Sequence, residues 1–141
     1  MNDKTIKIIK TTAPIVRDKK DEITNTMYEI LFSTYPETKV LFKDATDDQP
    51  KKLANAIYAY ASNIDKLDNL TKGIETMVNA HVKTNIQAEH YPMVKDALLK
   101  AFQKVLGESC TLEIANAWAE AYDFLATVLI QKEKEAYSKI S

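Results

Sequence analysis

Glycine and proline are scarce in this chain, with 2 glycines and 4 prolines in 141 residues. An all-β fold needs such residues at its turns, so the composition excludes a sandwich or barrel and points to helices. Cysteine occurs once, as Cys110. That rules out an internal disulfide and any CxxC metal pair, and it suits a reducing compartment. Charge of one sign is lacking too, since 19 basic and 20 acidic residues leave a net charge of −1. No basic stripe can follow a phosphate backbone, which argues against a nucleic-acid partner. No apolar run approaches the ~18 residues of a membrane-spanning helix. The N-terminus intersperses lysine with isoleucine (Lys4, Ile6, Lys7, Ile8, Ile9, Lys10) and has no signal-peptide core. The expectation is a cytoplasmic chain with no stable membrane insertion.

Residues 1–141 are most simply one domain, long enough to bury a core unaided. Apolar residues recur at helical spacing almost throughout. A first helix is predicted from Asn2 or Asp3 through Ile6, Ile9, Ala13 and Val16, with a bend at Pro14. A second runs from about Asp21 to Tyr35, with Ile23, Met27, Ile30 and Leu31 inward, and ends before Pro36. Pro36 to Phe42 reads as a tight helical turn or two, followed by a polar loop from Lys43 to Asp48. The next helix opens near Thr46 to Asp48, with Pro50 in its first turn, and continues through Leu53, Ala54, Ile57, Ala61 and Ile64. A polar connection, Asp65 to Asn69, leads to a helix carrying Leu70, Ile74, Met77, Val78 and His81. Another opens at His90-Tyr91-Pro92, shows Val94, Leu98, Ala101, Phe102 and Val105 on its apolar side, and stops near Gly107. The last runs from Thr111 to about Tyr137, with Ile114, Trp118, Tyr122, Leu125, Leu129 and Ala136 in register. There is no sustained heptad, internal repeat or low-complexity tract.

Two polar residues stand on apolar faces. His81 follows Leu70, Ile74, Met77 and Val78 on a single stripe, so its imidazole points inward. There it is either a core histidine satisfied by one neighbour or a metal ligand. Glu133 falls four residues after Leu129 and eight after Leu125, which turns a carboxylate toward the core, where it needs partners. His90 opens a helix and points elsewhere, so it receives no ligand role. Trp118, Tyr122 and Phe124 read as core or edge packing, and Cys110 as inert.

Six or seven helices of unequal length, with an inward histidine in the later half, outline a known architecture. The residues that sharpen the outline are Tyr28, Phe42 after Pro36, the string Gln49-Pro50-Lys51-x-Leu53, His81, His90-Tyr91-Pro92 and Glu133. Together they resemble the single-domain bacterial haemoglobins and the globin domain of flavohaemoglobins, over the chain from Ile6 to Tyr137. The resemblance implies an all-α globin fold with helices packed around a pocket for haem b. It implies that His81 is the iron ligand through one ring nitrogen while Tyr91 and Glu133 bond the other, which fixes the ring and strengthens its electron donation. Phe42 would pack on the haem face and Leu53 would roof the ligand site. Tyr28 and Gln49 would donate hydrogen bonds to bound oxygen from the opposite side.

The function so implied is oxygen binding on ferrous haem and oxidation of nitric oxide to nitrate. The alternative is an oxygen carrier or reservoir that delivers O2 to terminal oxidases. A haem-free sensor is the more distant reading, since the residues such a protein would lose are retained. Two departures bear on the site. The six residues between Phe42 and Gln49 form a shorter link than is usual in this group, and a shorter link can redirect Gln49. Ala80 precedes His81 where many relatives carry a basic residue, which leaves Lys51 or Lys83 for contacts to the haem propionates. No flavin or nicotinamide module follows residue 141, so a separate reductase is expected as electron donor for a nitric oxide dioxygenase.

Overall fold

Asn2 starts the first helix with its side chain, whose oxygen accepts from the Thr5 N–H at 2.8 Å. In the computed structural model, which describes residues 1–140, that helix (α1, Asp3–Thr34) continues without interruption for 32 residues. The two helices expected over this stretch are therefore one. The polar run Arg17 to Lys20 between the two expected helices contains no glycine or proline; Arg17 to Lys19 face solvent, and Lys20, half-buried in line with Val16 and Ile23, reaches Asn55 of the neighbouring helix with its ammonium. Pro14 sits inside α1, where its ring forfeits one backbone hydrogen bond without ending the helix. Tyr35 caps α1 through its backbone N–H, and Pro36–Phe42 forms a 3-10 turn as the sequence suggests.

The remaining helices are α2 (Gln49–Ser62), α3 (Thr71–Lys83), α4 (His90–Leu106) and α5 (Leu112–Ile140). The expected polar connection before α3 contains a short 3-10 turn, Leu67–Leu70, and α5 runs past its predicted end at Tyr137. Gly107 closes α4 with φ 57°, a left-handed conformation that glycine adopts without steric cost, and its N–H returns to the Gln103 carbonyl. Thr111 caps α5, its hydroxyl accepting from the Ile114 N–H at 3.3 Å.

α1 packs along α4 and α2 and also touches α5, whereas α3 packs on α5 and the Leu67–Leu70 turn. This arrangement divides the apolar interior. The larger cluster holds Tyr28, Leu31, Tyr60, Phe102 and Trp118; the smaller holds Val78, Tyr91, Ala126 and Leu129, and Tyr122 and Leu125 border both. Phe102 and Trp118 stack at 5.1 Å, and the indole N–H donates to Thr12 Oγ1 at 3.0 Å. Phe124 stays at the edge, 40% exposed. Among the described residues no helix is long and apolar enough to cross a membrane.

Four tyrosines carry their phenols into this interior. Burial raises the ionisation of Tyr28, Tyr60, Tyr91 and Tyr122 above the ordinary tyrosine range. A raised folded-state value means that their stabilisation is complete below the unfolded value near ~10 and is lost as pH rises above it. Stability measured by urea melts should therefore fall steeply above about pH 10. Tyr60 Oη donates to the Ala121 carbonyl at 2.7 Å. Tyr60→Phe should cost about 1 kcal/mol at neutral pH and flatten the alkaline decline. An equally steep decline in the variant would refute the assignment.

Candidate functional site

α3 brings only Val78 of its residues to full burial, because α5 and one 3-10 turn are its main supports. Ile74, Met77, His81 and Val82 are half-covered on the same helix. The imidazole of His81 turns toward α4 and α5. Its Nδ1 lies 2.9 Å from Glu133 Oε2 and 3.0 Å from Tyr91 Oη. Tyr91 Oη in turn lies 2.7 and 2.8 Å from the two Glu133 oxygens.

Proton accounting fixes the roles in this triangle. Glu133 is 3% exposed and, as a carboxylate, only accepts. The single phenol proton of Tyr91 therefore goes to Glu133, and burial together with that carboxylate pushes Tyr91 ionisation far above its usual range. The proton between His81 and Glu133 must then sit on Nδ1. A neutral ring in this tautomer leaves Nε2 with its lone pair outward. No hydrogen bond among the described residues engages Nε2, and no buried side-chain nitrogen or oxygen among them lacks a partner. Of the two sequence alternatives for His81, a core histidine satisfied through one nitrogen and a ligand through the other, the geometry accommodates both at once.

Other predicted residues gather where α1 meets Phe42 and the start of α2. Tyr28 is 9% exposed, and its oxygen accepts from Gln49 Nε2 at 3.3 Å. Burial, only partly offset by that bond, keeps the phenol protonated, so its O–H remains a donor. Phe42 meets the Tyr28 ring edge-on at 5.3 Å. The short link before Gln49 is folded into turns: Ala45 N–H donates to the Phe42 carbonyl at 3.0 Å, Gln49 N–H donates to that of Thr46 at 3.1 Å, and the Thr46 hydroxyl donates to Asp48. Its shortness thus does not carry Gln49 away from Tyr28. Leu53 is half-buried against the larger cluster. Lys51 and Lys83 are both exposed, as contacts to propionates require.

Sequence reading missed three side chains here. Phe32 completes an aromatic trio with Tyr28 and Phe42, at 5.7 and 5.6 Å, and its spacing of four from Tyr28 was the available signal. Tyr122, read as packing, also donates to the Tyr91 carbonyl at 2.7 Å and so ties α5 to the first turn of α4. Tyr137 donates to the Ile86 carbonyl at 2.5 Å, just beyond α3. His90, given no ligand role, has a structural one, its Nδ1 accepting from the Gln87 N–H at 2.8 Å.

An imidazole held through Nδ1 by a buried carboxylate, with Nε2 free of hydrogen bonds on a half-covered apolar helix, has the chemistry of a metal or haem ligand. The chain belongs to the globin family, whose model matches residues 25–129. It is 51% identical, over 99% of both chains, to an uncharacterized globin-like protein of Aquifex aeolicus. It is 39% identical to the flavohemoprotein of Oceanobacillus iheyensis, where the match covers 99% of this chain and 35% of that protein. The chain thus spans about a third of the flavohemoproteins it matches. Among solved structures, an engineered carbene transferase derived from a provisionally named nitric oxide dioxygenase of Rhodothermus marinus superposes with a TM-score of 0.96. It shares 38% identity, over 99% of this chain and 98% of that one.

Haem is accordingly the cofactor, and the residues present fit it. His81 Nε2, which makes no hydrogen bond, would be the nitrogen to hold the iron, and the half-buried Phe42, Leu53, Ile74 and Met77 would supply apolar surface for the macrocycle.

Proposed function

We propose that this globin oxidises nitric oxide with O2 to nitrate and draws its electrons from a separate reductase. The observation that carries this reading is the anchoring of His81 Nδ1 by both Glu133 and Tyr91. Haem held at His81 Nε2 would supply redox-active iron for the reaction of O2 with nitric oxide to nitrate, a conversion that needs one electron returned per turnover. Each turnover therefore draws one electron from the reductase. The residues of this chain bind, orient and tune. Glu133 draws the Nδ1 proton toward itself and gives the ring imidazolate character, which suits redox chemistry better than storage. Tyr91 holds the carboxylate from a second direction and stops it from rotating away. Across from them, the Tyr28 O–H donates toward negative charge that develops on a diatomic ligand, and Gln49 fixes the phenol oxygen. Phe42 and Leu53 keep that space apolar and restrict water. Lys51 and Lys83 are the candidates for the propionates.

The test is aerobic nitric oxide consumption by cells that lack such an activity and carry this protein, its Glu133→Gln variant or no insert. The expected result is rapid consumption with the unaltered protein and at least tenfold slower consumption with the variant. If the unaltered protein fills with haem and oxygen yet consumes no nitric oxide, delivery of O2 becomes the reading.

A further inference from the structure

The structure ties His81 to α5 twice, once through its ring and once through its backbone. Glu133 and Tyr137 stand one turn apart on the same face of α5. Glu133 takes the ring nitrogen, as described. The Tyr137 phenol donates to the Ile86 carbonyl at 2.5 Å and lies 3.4 Å from the His81 carbonyl. Those two acceptors are themselves linked, since the Ile86 N–H donates to the His81 carbonyl at 2.9 Å. Tyr137 therefore grips the point at which α3 ends.

The corner that follows joins α3, with His81, to α4, with Tyr91. Its bonds are directional: Asn85 takes φ 66°, Gln87 Nε2 donates to Asn85 Oδ1 at 3.0 Å, and the Gln87 N–H donates to His90. By contrast, the other side chains through which α3 meets α5 are apolar, among them Ile74, Met77, Val78 and Val82. Apolar contacts tolerate small sliding of one helix along another. A hydrogen bond at 2.9 Å between Nδ1 and a carboxylate does not, because its strength falls steeply with length and angle.

We propose that Tyr137 is a positioning residue for the His81 imidazole: by tying the Ile86 corner to α5 it sets the length of the Nδ1–Glu133 bond and, through it, the donor strength of Nε2. The inference rests on the reading of His81 as the haem ligand. It adds Tyr137, one turn beyond Glu133 on α5, to the residues that tune the iron.

The experiment uses the haem-loaded protein in its ferrous, ligand-free form, with the iron–histidine stretching band read by resonance Raman. Tyr137→Phe is compared with Glu133→Gln and with Tyr60→Phe. The last variant deletes a phenol–carbonyl bond of the same kind in the larger cluster. Tyr137→Phe should shift the band down, toward but short of the position in Glu133→Gln, and should speed haem loss to an acceptor protein by about tenfold or less. In a Glu133→Gln background the same change should add little. Tyr60→Phe should lower thermal stability comparably and leave the band in place. Tyr137→His, with a donor on a shorter arm, is the second variant, and its band is expected between those of the unaltered protein and Tyr137→Phe. A band at the unaltered position in both Tyr137 variants overturns the proposal, as does an equal shift in Tyr60→Phe. Absence of an iron–histidine band in the unaltered protein overturns the reading of His81 instead.

Discussion

Tyr28→Phe should release oxygen about ten- to a hundredfold faster than the unaltered protein. The phenol is buried and neutral, and since its oxygen accepts from Gln49 its O–H is left free to donate to a ligand. A hydrogen bond to a ligand carrying partial negative charge in an apolar site is worth about 1.5–3 kcal/mol, and each ~1.4 kcal/mol is tenfold in rate or affinity. Phenylalanine keeps the ring contacts with Phe42 and Phe32 at 5.3 and 5.7 Å, so packing is preserved while the donor is deleted. The loss also strands the Gln49 amide, which then becomes free to swing toward the ligand. Gln49→Ala in the Tyr28→Phe background should therefore add to the effect, whereas Gln49→Ala alone should alter release by a smaller factor. Stopped-flow displacement of oxygen reads all three. Unchanged release in Tyr28→Phe would remove the phenol from the site.

His81→Ala should abolish stable haem binding and also destabilise the haem-free chain by about 2–3 kcal/mol. The first effect follows from deleting Nε2. The second comes from Glu133, whose carboxylate is 3% exposed and would keep only Tyr91 as a partner. Removing one member of a buried pair costs about 3–5 kcal/mol when nothing else compensates. Here the remaining phenol bonds and the 29% exposure of the imidazole bring the figure down. Adding Glu133→Gln to His81→Ala should then recover part of the loss, because the stranded charge is gone. Urea melts of haem-stripped preparations measure this coupling as a double-mutant cycle. Strict additivity would mean that the pair contributes nothing to the fold. Haem absorbance of the purified variants checks the first effect, and full retention in His81→Ala would overturn the ligand assignment.

Much of this was legible one helix at a time. Helical spacing placed His81 and Glu133 on inward faces, and a buried carboxylate required partners whichever they were. The misreadings came from local rules applied without neighbours. Two helices were expected on either side of Arg17 to Lys20, yet one helix carries them through, with Arg17 to Lys19 toward solvent and Lys20 bonded to Asn55. Tyr122 was read as packing and Tyr137 only as the helix end, because the carbonyls they bond belong to Tyr91 and Ile86, 31 and 51 residues away.

The sequence by itself determined the helical class, the inward direction of His81 and Glu133, and the turn chemistry at Pro36 and Gly107. These depend on spacing of three or four residues and on backbone rules that act within one turn. Only the tertiary structure decided that Nδ1, and not Nε2, faces Glu133, that Gln49 reaches Tyr28 despite the short link, and that α5 holds both the ring and the backbone of His81. Each of these is a hydrogen bond between elements distant in sequence. Its length and direction are set by how three helices pack, which no local pattern encodes.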